Sequence, residues 1–288
     1  MPTATVSENS AVSYLNSRAA PQISNLTLRL LVALCGIPLL VAAVFFGDPW
    51  YMLLVLAVTL AGAWEFVRLA STAEGDPLAP LVYISAALFV LDAWWKSNAA
   101  PLILASTIFL SLAWSVFRFR RGRDAVGWLW TLGGALYVGW LMSHYIWLRD
   151  LPLGSAWVLL ALFGTFLNDT ASYSVGRLFG RHKMAPEISP GKTWEGAFGG
   201  LVATTLGVPV LVVALGLPQS WPIWALGCVL SLAAQLGDLA ESTIKRTAEV
   251  KDASGLVPGH GGVLDRIDSL VFVGPLVYYY LLWVVAPR

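Results

Sequence analysis

Acidic side chains at helical spacing are concentrated between residues 237 and 269. Asp238 and Glu241 form one i, i+3 pair, and Asp265 and Asp268 form a second. Residues three or four apart lie on one face of a helix, so each pair predicts two carboxylates at one helix end. Crowded carboxylates repel one another unless a cation lies among them. Oxygen ligands without cysteine or clustered histidine favour a hard ion, so the pattern predicts a Mg²⁺ site.

Basic residues and a glycine-rich loop lie around and between these acidic pairs. Ser242 and Lys245 continue the face of the first pair. The other candidates follow in chain order: Arg246, Lys251, His260, Gly261, Gly262 and Arg266. A divalent cation bridges phosphate oxygens, cationic side chains stabilise the spreading charge, and glycines let backbone N–H groups approach a ligand. The combination predicts phosphoryl or nucleotidyl transfer; the alternative is a solvated cluster of surface ion pairs, which would not need this loop.

Asp169 is a carboxylate inside an apolar segment that is long enough to span a membrane. Such a carboxylate costs about 2.5–3.5 kcal/mol on insertion scales unless it is paired or hydrated. The sequence therefore predicts that Asp169 faces a polar cavity or a cation. The alternative is a structural aspartate that pairs with a neighbouring helix.

The segment Ser189–Gly196 predicts an anion site at the start of a helix. Ser189, Lys192 and Thr193 place a positive charge, hydroxyl groups and backbone N–H groups where a phosphate could bind. The segment is not a phosphate-binding loop of the G-x-x-x-x-G-K-[ST] type, because residue 186 is proline and no strand is predicted before it. A helix cap with an extended lysine is the alternative interpretation.

The composition predicts an integral membrane protein with an all-α fold. The 288 residues are 57% hydrophobic and 12% charged, whereas soluble domains have about 25% charged residues. A net charge of +1 excludes the basic excess of a nucleic-acid-binding protein. Helices are expected because lipid cannot satisfy the backbone polar groups, and the apolar segments are too long for the strands of a barrel.

About nine apolar segments approach the roughly 20 residues needed to span a membrane. They are residues 26–47, 49–69, 78–95, 99–117, 125–148, 155–180, 195–217, 221–244 and 268–286. With alternating loops, all but three of the 18 Lys and Arg residues fall on one side, the exceptions being Lys96, Arg149 and Arg288. The positive-inside rule then predicts a cytoplasmic N-terminus and an external C-terminus.

This topology predicts three parts of the chain: a cytoplasmic tail (1–25), a scaffold of transmembrane helices (26–150), and transmembrane helices with a cytoplasm-facing catalytic site (151–288). The compact length without a targeting segment favours a bacterial plasma (inner) membrane.

Residues 242–268 resemble the signature of the phosphatidate cytidylyltransferase family, also called CDP-diacylglycerol synthases. The matching positions are Ser242, Lys245, Arg246, Lys251, Asp252, Pro258, His260, Gly261, Gly262, Asp265, Arg266 and Asp268. Residues 169–180 and 189–196 also resemble family motifs, whereas the N-terminal half agrees only in hydropathy. Gly191 stands where the family commonly has a second basic residue before Lys192.

The resemblance implies an enzyme of phospholipid biosynthesis that converts CTP and phosphatidic acid, a membrane lipid, to CDP-diacylglycerol and pyrophosphate. It implies a polytopic helical fold with a polar cavity open to the cytoplasm and to the lipid. It also implies Asp238 and Asp265 as principal Mg²⁺ ligands, with Asp169, Glu241 and Asp268 as additional ligands or residues that orient them. The resemblance leaves open whether a second cation binds and whether the protein forms a homodimer.

The resemblance also implies roles for the remaining polar residues. The phosphates would be bound by Lys183, Lys192, Lys245, Arg246 and Arg266. Further substrate contacts would come from Asp169, Ser189, Thr193, Ser242, Lys251, Gly261 and Gly262. His260 would either hydrogen-bond a phosphate or hold the glycine loop. Asp265→Ala is expected to abolish activity without loss of folding.

Other classes of membrane protein fit the sequence less well. A transporter predicts polar residues in both halves, but Glu65 and Asp92 are the exceptions in a first half with few charges within its spans. A CTP-using lipid kinase is a nearer alternative, which would release CDP instead of pyrophosphate. A CDP-alcohol phosphotransferase would need a D-G-x-x-A-R motif, which is absent. A purely structural protein would leave the acidic and glycine cluster unexplained.

Overall fold

The computed structural model of the chain describes residues 25–73, 75–118, 124–257 and 261–285. The described elements, in chain order, are α1 (Asn25–Phe46), α2 (Trp50–Thr72), α3 (Ala79–Trp95), α4 (Ala100–Phe117), α5 (Asp124–Gly134), a π-helical turn (Ala135–Trp140), α6 (Leu141–Asp150), α7 (Gly154–Phe179), β1 (Lys183–Ala185), β2 (Ser189–Thr193), α8 (Trp194–Ala214), α9 (Pro222–Thr247), α10 (Leu264–Tyr280) and a π-helical end (Leu281–Val285).

The helical class that the composition predicts is confirmed. Within the described residues, five helices are long and apolar enough to cross a membrane: α2, α4, α8, α9, and α10 with its π-helical end. Large apolar side chains such as Val116, Val210 and Trp283 are exposed on the helix surfaces, as expected for faces that contact lipid. The protein is therefore an all-α membrane protein.

The described helices overlap the nine segments predicted from hydropathy, with ends that differ by up to four residues, and the number of transmembrane helices stays a prediction. The segment 125–148 is covered by α5, the π-helical turn and α6, which follow one another without a break. Proline lies in the first turn of α3, α4 and α9, where its missing N–H has no intrahelical partner to lose. The short antiparallel hairpin β1–β2 is a difference from the prediction, which placed a loop there.

Small residues allow the C-terminal helices to approach one another closely. A Cβ atom on Gly227 of α9 would lie 2.8 Å from Thr205 Cα of α8, and one on Gly237 would lie 2.5 Å from the Asp268 carbonyl oxygen of α10. Glycine at a helix interface lets two backbones come into contact, as is common in membrane proteins. The contact at Gly237 brings the neighbouring Asp238 beside the start of α10.

Polar contacts join helix ends at two opposite ends of the bundle. Lys96 Nζ lies 3.0 Å from Asp150 Oδ2, and Arg149 Nε donates to the Val44 carbonyl at 3.0 Å, so the C-terminal ends of α1, α3 and α6 meet. The other end of α2 contacts the start of α10, where the Glu65 side chain accepts hydrogen bonds from backbone N–H groups. The acidic cluster therefore lies at the end opposite to Lys96 and Arg149.

The predicted scaffold and catalytic parts are packed against each other. Tyr145 Oη donates to the Leu270 carbonyl at 3.0 Å, and Tyr51 Oη donates to the Tyr145 carbonyl at 3.1 Å. Both hydroxyl groups are buried, and their bonds join α2, α6 and α10. The division at residues 150 and 151 stays a prediction, and the predicted tail lies outside the described residues apart from its last residue.

Gly237→Ala is expected to destabilise the protein. The added Cβ would meet the Asp268 carbonyl oxygen, so α9 and α10 would have to separate, and overpacking costs about 1–3 kcal/mol. Thermal unfolding of the purified protein in detergent measures this as a lower Tm. Gly36→Ala is the matched control, because no atom of the described residues outside its own helix backbone lies within 4 Å of its Cβ position and alanine favours a helix by about 1 kcal/mol. Equal Tm shifts in the two variants would contradict the packing argument.

Candidate active site

Lys245 joins two of the predicted carboxylates. Its Nζ lies 2.5 Å from Glu241 Oε2 and 2.6 Å from Asp265 Oδ1. Glu241 and Lys245 are one turn apart on α9, whereas Asp265 lies in the first turn of α10. The side chain of Glu241 is fully buried and that of Lys245 is 13% exposed, so little water competes with these ion pairs. The predicted face of α9 is thus formed, and one ammonium group partly neutralises two carboxylates.

The second oxygen of Asp265 is held by the loop between α9 and α10. Asp265 Oδ2 accepts a hydrogen bond from Gly262 N at 2.7 Å and another from Ala253 N at 3.0 Å. The loop therefore reaches this carboxylate from two points that are nine residues apart. Both oxygens of Asp265 are oriented, one by an ammonium group and one by two backbone amides.

Asp238 is bound by different partners from those of Asp265. Lys192 Nζ lies 2.9 Å from Asp238 Oδ2, and Ser242 Oγ donates to Asp238 Oδ1 at 3.3 Å. Lys192 comes from β2, so the hairpin delivers its positive charge to α9. Asp238 is 36% exposed, and this exposure leaves the carboxylate accessible to a ligand.

Asp169 and Asp268 complete a second group of carboxylates. The charges of Asp169, Asp238 and Asp268 interact electrostatically with one another, and Asp169 is also attracted by Lys192 and Arg266. Three carboxylates with two basic side chains form the mixed-charge environment that the sequence predicts. The structure thus brings Asp169, from α7, to the acidic residues of α9 and α10.

A buried hydrogen-bond network that the sequence analysis missed orients Asp169. Asn168 Nδ2 donates to Asp169 Oδ1 at 3.1 Å, and Asn168 Oδ1 accepts from Ser231 Oγ at 2.6 Å. Gln235 Nε2 donates to Ser231 Oγ at 3.0 Å and to the Ala197 carbonyl at 3.1 Å. The i, i+4 spacing of Ser231 and Gln235 on α9 is the only signal that could have indicated this network.

A cavity of about 530 Å³ opens beside these groups. Six predicted site residues line it: Asp169, Lys183, Ser189, Lys192, Thr193 and Asp238. Tyr173, Arg177 and Gln235 add an aromatic ring, a guanidinium group and an amide that the sequence analysis had not selected. The hairpin and the ends of α7 and α9 therefore enclose a polar space large enough for a phosphorylated ligand.

The hairpin is fixed to the start of α8 by capping interactions. Thr193 Oγ1 accepts from Gly196 N at 3.2 Å, which is an N-cap. Glu195 accepts hydrogen bonds from Arg181 N at 3.1 Å and from the ring and backbone of His182. The helix start predicted for this segment is thus formed, and the Thr193 hydroxyl caps it beside the cavity.

Four further predicted site residues are exposed or lie outside the described residues. Arg246 is exposed and donates to the carbonyl groups of Ile188 at 2.9 Å and Val250 at 3.1 Å, so it ties the hairpin to the end of α9. Lys251 and Arg266 are exposed. His260 lies outside the described residues, so its predicted role stays a prediction.

Glu65 of α2, which was not among the predicted site residues, contacts the same loop. Its side chain is fully buried. Oε1 accepts from Ser254 Oγ at 2.5 Å and from Val263 N at 2.9 Å, and Oε2 accepts from Leu264 N at 2.6 Å. The position of Glu65 inside an apolar segment could have indicated such partners, because burying a carboxylate without partners is costly.

The predicted Mg²⁺ ligands are linked through Asp268. Glu241 and Asp265 share Lys245, and the charge of Asp268 interacts with those of Glu241, Asp238 and Asp169. In the described part of the chain, no three His, Cys, Asp or Glu side chains converge as a metal centre. The donor set is nevertheless all oxygen, which suits Mg²⁺, and its charge is offset by lysines that a cation could replace. The metal assignment stays a prediction.

Comparisons with known proteins agree with the predicted family. A sequence profile described as "Cytidylyltransferase family" matches residues 27–284. A phosphatidate cytidylyltransferase of Brucella suis is 31% identical over 264 residues, which cover 90% of this chain and 94% of the relative. One from Bacillus subtilis is 38% identical over 186 residues, or 64% of this chain and 65% of the relative.

A phosphatidate cytidylyltransferase of Staphylococcus epidermidis is 45% identical over 130 residues, which cover 45% of this chain and 50% of the relative. The family profile and the relative from Brucella suis extend through nearly the whole chain, including the N-terminal helices, for which hydropathy alone had indicated the resemblance. The chain belongs to the cytidylyltransferase family.

Proposed function

We propose that this protein is a phosphatidate cytidylyltransferase, which transfers CMP from CTP to phosphatidic acid and releases pyrophosphate. The product, CDP-diacylglycerol, is used in phospholipid biosynthesis. The observation that carries the proposal is the polar cavity in which Lys192 of the hairpin lies 2.9 Å from the carboxylate of Asp238. Family membership supports the same reaction.

The proposed reaction needs positioning and charge neutralisation more than proton transfer. A phosphate oxygen of phosphatidic acid attacks the α-phosphorus of CTP, and the bond from that phosphorus to the oxygen that bridges to the β-phosphate breaks. Ionised phosphate is already a nucleophile, so no strong general base is required. Lys183 and Lys192, which line the cavity, bind and orient the phosphates. Lys245 and Arg266 hold positive charge near the start of α10.

We propose Mg²⁺ as the resident cation. Asp238 and Asp265 would be its principal ligands, and Asp169, Glu241 and Asp268 would add ligands or orient them. When bound, the ion would supply positive charge that stabilises the phosphates and the leaving pyrophosphate. A second cation beside the first is the alternative within this proposal.

The proposed topology has nine transmembrane helices, a cytoplasmic N-terminus and an external C-terminus. Lys96 and Arg149 lie at the end opposite to the acidic cluster, which supports a cytoplasmic active site. α7 has 26 residues, more than the roughly 20 that a span requires. The relatives are bacterial, which supports a plasma (inner) membrane location.

Within this topology, residues 26–150 would be the scaffold and residues 151–288 would carry the catalytic site, after a cytoplasmic tail. A homodimer is the proposed alternative to a monomer, and no interface residues are assigned to it.

Pyrophosphate release in reconstituted vesicles tests the proposed reaction. Purified protein is incubated with Mg²⁺, CTP and vesicles that contain phosphatidic acid, and the soluble products are separated. We expect pyrophosphate release that depends on phosphatidic acid. Vesicles with diacylglycerol in its place are the control, because diacylglycerol is the acceptor that a CTP-dependent lipid kinase would use. Release of CDP with diacylglycerol, or no product with either lipid, would contradict the proposal.

A further inference from the structure

We infer that Glu65 is a positioning residue that holds the loop between α9 and α10 in the form that orients Asp265. This inference rests on the proposed cytidylyltransferase activity. It assigns a role in catalysis to the N-terminal helices, which otherwise contribute no residue to the proposed chemistry.

Glu65 makes long-range contacts, and both of its carboxylate oxygens accept hydrogen bonds. It accepts one hydroxyl and two backbone hydrogen bonds, from Ser254, Val263 and Leu264, at 2.5–2.9 Å. These partners follow Glu65 by 189–199 residues. Val263 and Leu264 lie at the start of α10, where the helix dipole favours a negative group.

The partners of Glu65 are sequence neighbours of the groups that hold Asp265. Ser254 follows Ala253, and Val263 follows Gly262. Ala253 N and Gly262 N are the two amides that donate to Asp265 Oδ2. Glu65 therefore fixes both sides of the loop one residue away from the hydrogen bonds that orient Asp265.

Close packing supports the same coupling. A Cβ atom on Gly262 would lie 2.6 Å from Glu65 Oε2, a separation that real Cβ contacts do not show. Only glycine leaves room for the Glu65 carboxylate directly beside this amide. The approach of Glu65 thus gives a physical reason for glycine at position 262, in addition to any contact with substrate.

A second buried carboxylate of the same kind provides a matched control. Asp92 accepts from Ser97 Oγ at 2.5 Å, Ala99 N at 2.7 Å and Ala100 N at 3.0 Å. It therefore receives one serine hydroxyl and two backbone N–H groups at the start of a helix, as Glu65 does. Asp92 lies near Lys96, at the end of the bundle opposite to the acidic cluster, so its loss changes a helix cap without touching the loop that holds Asp265.

Glu65→Gln keeps the size of the side chain but turns an NH₂ group toward a backbone donor. We expect kcat to fall about 100-fold, because displacement of a catalytic group by about 1 Å has effects of this size. KM for CTP should stay close to that of the wild type, since Lys183 and Lys192 come from the hairpin. Asp92→Asn makes the equivalent change and is expected to keep wild-type kcat even if Tm falls.

Ser254→Ala removes a single contact with Glu65 and serves as a second variant if Glu65→Gln does not fold. It is expected to lower kcat by about two- to tenfold, the effect of one hydrogen bond. Because both variants act on the same contact, the double variant should be no slower than Glu65→Gln alone.

Wild-type protein assayed in parallel separates this inference from the proposed function. No CDP-diacylglycerol from the wild type would mean that the proposed function is wrong. With an active wild type, the inference is overturned if Glu65→Gln and Asp92→Asn lower kcat equally. It is also overturned if Ser254→Ala leaves kcat unchanged, or if the Glu65→Gln and Ser254→Ala effects multiply in the double variant.

Discussion

Asp265→Asn is expected to lower kcat about 1000-fold, as loss of an electrostatic group in an enclosed site does. Asn has nearly the same shape, but it presents an NH₂ group either to Lys245 or to the amides of Ala253 and Gly262. In the wild-type protein these donors lie 2.6–3.0 Å from the carboxylate oxygens of Asp265. The substitution also removes one of the proposed ligands of Mg²⁺. Turnover of CTP with phosphatidic acid at saturating substrate, measured for the variant and the wild type, gives the ratio of their kcat values.

Asp150→Asn is the control for Asp265→Asn. Asp150 forms an ion pair with Lys96 at 3.0 Å, at the end of the bundle far from the carboxylate cluster. We expect wild-type turnover from this variant, because exposed ion pairs contribute about 0–1 kcal/mol to stability. Near-wild-type turnover of a folded Asp265→Asn variant would contradict the role assigned to Asp265.

Lys192→Met is expected to lower kcat/KM for CTP about 100- to 1000-fold, mainly by raising KM. The methionine keeps most of the apolar stem but removes the ammonium group that lies 2.9 Å from Asp238 Oδ2. The carboxylates of Asp169 and Asp238 would then face the phosphates of CTP with less positive charge between them, and loss of one such group has effects of this size. Steady-state kinetics with varied CTP measure the change.

Lys96→Met is the matched control for Lys192→Met. Both lysines pair with an aspartate, but Lys96 is 67% exposed and lies at the opposite end of the bundle. Its loss should leave KM and kcat unchanged. If Lys192→Met has the kinetics of Lys96→Met, the cavity beside Lys192 does not bind the nucleotide.

The helices and part of the site could be predicted from local patterns in the sequence. The helices could be predicted from the length of the apolar segments alone, because a helix in lipid satisfies the hydrogen-bonding groups of its own backbone. The shared helix face of Glu241 and Lys245 followed from their spacing, and in the structure Lys245 Nζ lies 2.5 Å from Glu241 Oε2. Asp169 was predicted to face a polar cavity because an intramembrane carboxylate is costly, and it lines one.

Contacts between distant segments could not be predicted in the same way. Hydropathy marks Glu65 as an unusual carboxylate, but it does not indicate that the partner is a backbone loop about 190 residues later. Uncharged polar residues such as Asn168 and Ser231 change the hydropathy of an apolar helix only slightly, so the sequence pattern did not indicate their network with Asp169. The hairpin was missed because its two strands are three and five residues long, too short for an alternating pattern.

The most direct test of the account is to follow the phosphorus atoms of CTP into the lipid. CTP labelled separately at the α and γ positions is incubated with phosphatidic acid, Mg²⁺ and the protein in detergent–lipid micelles, and the lipid fraction is extracted. We predict that label from the α position enters the lipid, that label from the γ position leaves as pyrophosphate, and that Asp265→Asn loses the transfer. Label from the γ position in the lipid, or no transfer by the wild type, would contradict the account.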